Sequence, residues 1–271
     1  MALHDNAIAT PAEAFSGPRG PEPELRARLD RDGWARLDPA QTALVLGVDL
    51  DVGVPALAAH WDALPPDRYL ADGGRSRRRR HACFEVAGAD VRRLPHRPHV
   101  QRREHNPLFG DLPRWFAPMS PALDDDPTLD RVLRLGAALF TPHAACDAEV
   151  HLFRVVADAD RPGEPTPEGI HRDGVDGVCV LLVARVGIEG GRTTLTDADG
   201  RVLARPLLAT RGDALLLDDA RVRHGTDAIV PSSPATAGHR DVLVVTFRAH
   251  ARLQAVSDAS SASRGKNRSL A

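Results

Sequence analysis

The sequence predicts a mainly β fold with flanking helices, a double-stranded β-helix of the jelly-roll or cupin-like type. Three observations carry this. From Glu149 to Phe247 the chain is a series of short Val-, Leu- and Thr-rich segments separated by Gly, Pro or Asp turns. The clearest helix signal, Thr128 to Phe140, lies ahead of them. Strand and helix do not then alternate as βαβ units would, so strands closing into a barrel or jelly roll are expected.

Taken in order, residues 1–22 are rich in Ala, Pro and Gly and read as a flexible arm. Pro23 to Asp30 reads as a short helix, with Gly33 just past its end. Leu57 to Leu64 is a second helical stretch, stopped by Pro65-Pro66. Thr128 to Phe140 has Asp126 as N-cap and Pro127 at the first helical position. Its apolar stripe is interrupted by Gly136, which weakens a helix interior by about 1 kcal/mol relative to Ala. Strands are expected at Glu149–Ala157, Val178–Val186, Arg192–Asp197, Val202–Leu208, Ala214–Asp218, Val222–His224 and Asp241–Phe247. Asp197-Ala198-Asp199-Gly200 is a hairpin signal. Residues 254–271 are Ser-rich with few large apolar groups and read as a disordered tail. That leaves residues 23–253 as one domain, with the β-helix core at about 149–250.

The bulk composition excludes several function classes. With 271 residues, 42% of them hydrophobic, the chain can bury a sizeable core. Its 35 basic and 37 acidic residues leave a net charge of −2, so no global field draws it to nucleic acid or an anionic membrane. Cys83, Cys146 and Cys179 form no CxxC pair or disulfide framework, which suits a reducing compartment. The first residues lack a basic segment followed by an apolar one, and no apolar run reaches the length of a membrane span. A soluble cytoplasmic protein is expected. Its oligomeric state is not legible.

His171-Arg172-Asp173 is the most telling local feature. On an extended backbone, residues two apart point the same way, so His171 and Asp173 can both face inward. His224 follows an apolar strand and a turn that can bring it beside them. Two imidazoles and a carboxylate hold one face of a non-haem Fe(II) and leave the opposite positions open. Arg240 begins a segment in which Arg240, Val242, Val244 and Thr246 share a face, with Arg248 beyond on the same side. A cation in that apolar setting needs an anionic partner, and the distal carboxylate of 2-oxoglutarate would serve.

The stretch Pro165 to Asp176 resembles the signature of the bacterial 2-oxoglutarate/Fe(II) dioxygenases that hydroxylate free L-amino acids, typified by isoleucine 4-hydroxylase. Ile188-Glu189-Gly190-Gly191, Leu215 to Gly225, Arg240 to Phe247, Tyr69 to Arg75 and Asn106-Pro107-Leu108 are also similar, so the likeness spans roughly residues 65–250. It implies a double-stranded β-helix with His171, Asp173 and His224 as iron ligands and Arg240 as the 2-oxoglutarate anchor. It also implies that O₂ and 2-oxoglutarate are consumed, succinate and CO₂ released, and an unactivated C–H bond hydroxylated. Related halogenases have a small residue in place of the carboxylate, so Asp173 favours oxygenation. Arg192 stands where that family suggests an acidic residue, a departure that bears on contacts near this strand.

An amino acid substrate needs a cation for its carboxylate and an acceptor for its ammonium. His151 and Arg154 are candidates for the first, Glu168 for the second, and Thr194 for a hydroxyl contact to the cosubstrate. Arg75 and Arg77 to Arg80 form the one dense basic run. Without interleaved aromatic residues it does not read as a nucleic-acid site. In a strand, alternate arginines would face the site mouth and solvent, in a structural or substrate-anion role. The same cofactor chemistry could instead desaturate, cyclise or sulfoxidise. From a different class, a non-catalytic barrel binding a small molecule would share the fold.

Overall fold

The computed structural model describes residues 21–250 except 71 and 107. Most of the expected N-terminal arm and the whole of the expected C-terminal tail lie outside the described residues, as do Ala71 and Pro107 of the family-like stretches. The described helices are α1 (Pro21–Asp32), α2 (Pro39–Leu46), α3 (Leu50–Ala58) and α4 (Pro127–Phe140). The strands are β1 (Trp34–Leu37), β2 (Arg77–Ala87), β3 (Asp90–Arg93), β4 (Cys146–Ala157), β5 (Gly177–Val186) and β6 (Ile188–Gly190). They continue with β7 (Thr193–Thr196), β8 (Val202–Ala204), β9 (Ala214–Asp218), β10 (Arg223–Thr226), β11 (Ile229–Pro231) and β12 (Gly238–Ala249).

A seven-stranded sheet in the order β1-β9-β5-β12-β4-β2-β3 forms one wall. The three-stranded β10-β7-β8 and two-stranded β11-β6 sheets complete the other side. This is the expected jelly roll, but its large sheet also draws strands from the first half of the chain. β1 and β3 are only four residues long, too short for periodicity to show. β2 is the arginine run continued into His81-Ala82-Cys83-Phe84, with Arg77 and Arg79 buried and Arg78 exposed.

Strand alternation divides the molecule into two interiors. On β12, Leu243, Val245 and Phe247 face the helices, and on β4 so do Val150 and Leu152. They pack with Leu25, Val54, Trp61, Leu129 and Leu133 in the larger core. The opposite faces of the same strands line a cavity of about 370 Å³ between the sheets. A second apolar cluster of Leu182, Leu195, Leu215 and Leu217 closes that space.

The helix reading needs three corrections. α1 begins at Pro21, two residues earlier than expected, so residues 21 and 22 of the expected arm are helical. The second helical stretch is α3 followed by a 3₁₀ turn, Ala59–Trp61, because Asp49 caps the earlier start by accepting from the Asp51 amide at 2.9 Å. α2 was not anticipated, although Asp38 and Gln41 form a reciprocal capping box and Gly47 ends the helix in the left-handed region. α4 matches its expected caps, with Asp126 accepting from the Leu129 amide at 2.8 Å. Gly136 is explained by packing, since a Cβ there would run into the Phe247 ring. Among the strands, Val202–Leu208 shortens to β8, and Asp197 and Gly200 form the expected turn between β7 and β8. No single described helix is long and apolar enough to cross a membrane.

Candidate active site

The site lies where the loop after β4 meets β10. His171 and His224 pair as a lone antiparallel bridge, each amide donating to the other's carbonyl at 2.9 Å. Their rings stand 4.6 Å apart, centre to centre. Asp173 reaches between them, Oδ1 lying 3.7 Å from His171 Nε2 and Oδ2 3.7 Å from His224 Nε2. One ligand atom from each of the three residues thus lies within 4.8 Å of the others.

Neighbouring groups aim these side chains. The carbonyl of Gly169 accepts from His171 Nδ1 at 2.9 Å. That keeps a proton on Nδ1 and directs Nε2 toward the centre. Gln101 Nε2 donates to Asp173 Oδ1 at 2.8 Å, while its Oε1 accepts from Arg114 at 2.7 Å and Asn106 at 2.9 Å. Buried Asp219 accepts three successive backbone amides, those of Asp173 (2.9 Å), Gly174 (2.6 Å) and Val175 (3.0 Å). Gly174 itself has φ +75°, and a Cβ there would strike His105.

The ionisation pattern follows from two imidazoles around one carboxylate. Burial lowers the His171 pKa, but the hydrogen bond and charge of Asp173, with Glu168, push it up to about 9. Burial and then the His171 charge push His224 down to about 4. Burial raises the Asp173 carboxyl, yet the two imidazoles hold it well below the usual range. Burial, and then the charge of Asp173, push Asp219 up to about 6.

Arg240 extends from β12 into the same cavity, on the face it shares with Val242, Val244, Thr246 and Arg248. It is 3% exposed, and its Nε has no hydrogen-bond partner. Burial and then Arg185 lower its pKa to about 10. Among the described residues it forms no ion pair. Arg248 donates to the Gly174 carbonyl at 3.0 Å.

The remaining expected residues divide by strand parity. Glu149, His151, Phe153 and Val155 of β4 line the cavity, and Glu168 does so beside His171, 3.8 Å from its Nε2. Arg154 is not among the lining residues. Three positions from His151, it faces the other side and clasps buried Asp241 at 2.7 and 2.8 Å. Thr194 is likewise off the cavity wall. Its neighbour Thr193 is the lining residue, its hydroxyl 3.0 Å from that of Thr226. Arg192, the departure from the family pattern, donates to the Arg205 carbonyl at 2.9 Å.

Gln101, Arg114 and Asp219 were not anticipated, since long-range folding alone brings them to the site. So too the group around Glu149, whose Oε2 lies 2.5 Å from His99 Nδ1 and 3.3 Å from His81 Nε2. Arg79 Nη2 donates to His151 Nδ1 at 2.9 Å, which leaves the proton of that neutral ring on Nε2. Burial, then Arg79, hold the His151 pKa far below its ordinary value.

With the fold and site in view, comparison places the chain among known proteins. The 2OG-Fe dioxygenase family model matches residues 58–246, and the chain belongs to that family. It is therefore a 2-oxoglutarate- and Fe(II)-dependent dioxygenase, using O₂ and acting on a small molecule. A BsmA homologue from Methylobium petroleophilum PM1 is similar in structure, with 36% identity and a TM-score of 0.76 over 87% of this chain and 95% of that one. IDO from Bacillus thuringiensis shares 16% identity, with a TM-score of 0.70 over 84% of this chain and 99% of that one. The Fe(II)/α-ketoglutarate-dependent dioxygenase TqaL shares 18% identity, with a TM-score of 0.67 over 84% and 86%. These last two likenesses bear on the fold alone. No curated protein matches the chain by sequence.

Proposed function

We propose that the chain hydroxylates a free L-amino acid or close derivative, releasing succinate and CO₂. In this reading His171, Asp173 and His224 hold the iron and Arg240 holds the distal carboxylate of 2-oxoglutarate. The carrying observation is that two imidazoles and a carboxylate converge in one cavity with a buried guanidinium whose Nε is unpartnered. The donor set fits Fe(II), and the guanidinium fits a carboxylate.

When bound, iron and 2-oxoglutarate supply the oxidising chemistry; the protein's part is placement. Val180, Leu215, Val242 and Val244 supply an apolar stretch of an otherwise polar cavity wall and would limit water near a reacting carbon seated against it. Asp173 would supply a carboxylate ligand where the resembling halogenases have a small residue, which supports oxygen insertion over halogenation. Thr193 and Thr226, not Thr194, offer hydroxyls to the cosubstrate side of the cavity. Glu168 offers a carboxylate for a substrate ammonium, and His151 an N–H donor. Arg154, committed to Asp241, has no part in the site. The three buried free thiols suit a reducing, cytoplasmic setting.

Succinate release across the common L-amino acids tests the reading, with product mass showing whether one oxygen has been gained. No amino acid raising succinate above the substrate-free level would contradict it. A product short of two hydrogens would make the enzyme a desaturase or a cyclase instead.

A further inference from the structure

Once iron and 2-oxoglutarate are assigned, two buried cavity-lining guanidinium groups remain without a full counter-charge among the described residues. Arg79 of β2 and Arg114, which pairs with His99 in an isolated bridge, are 4% and 3% exposed. Asp67, the carboxylate beside Arg79, is bound chiefly by Arg77. Its Oδ2 accepts Arg77 Nη2 at 2.8 Å and Nε at 3.0 Å, and Arg79 stands 3.6 Å from that same oxygen. Arg114 forms no ion pair with a described residue; its Nη2 donates to Gln101. Glu149, the next carboxylate on this wall, is engaged by His99, His81 and Arg97. Arg77 and Arg79 thus share the one carboxylate of Asp67, while Arg114 is supported only by the charges of Asp67, Glu168 and Asp173, none of them in ion-pair contact with it. The Nε of both Arg79 and Arg114 is buried and unpartnered. Such a charge surplus is costly unless an anion arrives.

Aromatic rings hold both groups in place. The Arg79 guanidinium lies 3.4 Å from the centre of the Phe116 ring and 4.4 Å from that of Phe153. Arg114 lies 5.5 Å from the same Phe116 ring and 5.4 Å from Phe109. A guanidinium stacked by its face keeps its edge for bidentate contact with a planar anion. Burial is the main cause lowering the pKa of both; Asp67 opposes it at Arg79 while Arg77 and Arg114 add to it, and at Arg114 the repulsion of Arg77 is opposed by Asp67, Glu168 and Asp173.

We propose that Arg79 and Arg114 form a second anion site in the cavity, distinct from Arg240, that seats the carboxylate of the primary substrate. The assignment rests on the iron-dioxygenase reading above and deepens it by fixing the substrate as a carboxylic acid in its anionic form. Gln101 links Arg114 to Asp173, so the substrate's carboxylate is tied through two hydrogen bonds to an iron ligand. The arginine run of the sequence then has an explicit division of labour. Arg77 neutralises Asp67, Arg79 faces the substrate, and Arg78 faces solvent.

The test uses the common L-amino acids, each beside its carboxamide, added anaerobically to protein loaded with Fe(II) and 2-oxoglutarate. The readouts are perturbation of the visible chelate band and thermal shift. The expected result is that every binder is an acid and that its amide binds about 100-fold more weakly. Arg79→Met should weaken the acid by a similar factor, leave the amide unchanged and keep the chelate band. Arg79→Lys should recover part of the affinity. The melting temperature of metal-free Arg79→Met should not fall, since a surplus buried cation is removed. Equal binding of acid and amide, a chelate that no acid perturbs, or an Arg79→Met protein that melts several degrees lower with its acid preference intact would overturn the proposal. Failure of wild type to form the chelate band at all would sink the iron assignment, and this inference with it.

Discussion

Replacing Arg240 by Met should make the protein more stable and worse at binding 2-oxoglutarate. The guanidinium is 3% exposed, and its pKa falls from 12.5 to about 10, burial being the main cause and Arg185 the second. That depression corresponds to about 3 kcal/mol against the charged form. Because the folded pKa is the lower one, the penalty acts in full below pH 10 and is relieved only above it. Near neutral pH the residue is charged and the whole penalty applies. Water in the cavity and lost packing offset part of it, so the metal-free variant should gain about 1–3 kcal/mol, or roughly 2–10 °C in Tm. In the proposed role of Arg240, the same change would also remove two charge-assisted hydrogen bonds to the cosubstrate, each worth about 1.5–3 kcal/mol. The Kd for 2-oxoglutarate should therefore rise about 10²- to 10⁴-fold. Calorimetry of the metal-free protein and anaerobic 2-oxoglutarate titration measure the two effects. A Tm lowered by several degrees with unchanged 2-oxoglutarate affinity would refute the reasoning.

Three further outcomes follow from the same geometry. Arg154→Ala should leave substrate and 2-oxoglutarate KM unchanged but destabilise the fold by about 2–4 kcal/mol in urea unfolding, because buried Asp241 loses its partner. Asp219→Ala removes the acceptor of three amides around Asp173, and Fe(II) titration should show affinity reduced about 10- to 100-fold. Burial raises the Cys83 thiol to about 11 and Cys179 to about 12, and raises Cys146 as well. A disulfide reagent at pH 8 should therefore label no thiol in the native protein within minutes and all three after unfolding. Rapid native labelling at that pH would contradict this.

The parts of the fold legible in the sequence were those with a local signal. α4 carries its own cap and proline, β9 is a bounded apolar run, and alternation along β12 put Arg240, Val242, Val244 and Thr246 on one face. β1, β6 and β11 are three or four residues long and owe their existence to their partners. Gly136 looked like a flaw in a helix until Phe247 was seen against it. At the site, the His171/Asp173/His224 grouping was readable because two members are two residues apart and the third ends a strand. The pairing of His151 with Arg154 ignored parity, since residues three apart on a strand face opposite sides. Thr194 missed by one position, which only the register of β7 against β10 decides. Gln101, Arg114 and Asp219 reach the site from loops with no periodic pattern.

The central claim is that His171, Asp173 and His224 bind Fe(II) with 2-oxoglutarate chelated beside Arg240. Anaerobic addition of Fe(II) and 2-oxoglutarate to the metal-free protein, followed by visible absorption, tests it most directly. Wild type should develop the weak metal-to-ligand charge-transfer band of the chelate, and an Asp173→Ala/His224→Ala double variant should not. No band in wild type, or the same band in the double variant, would contradict the assignment.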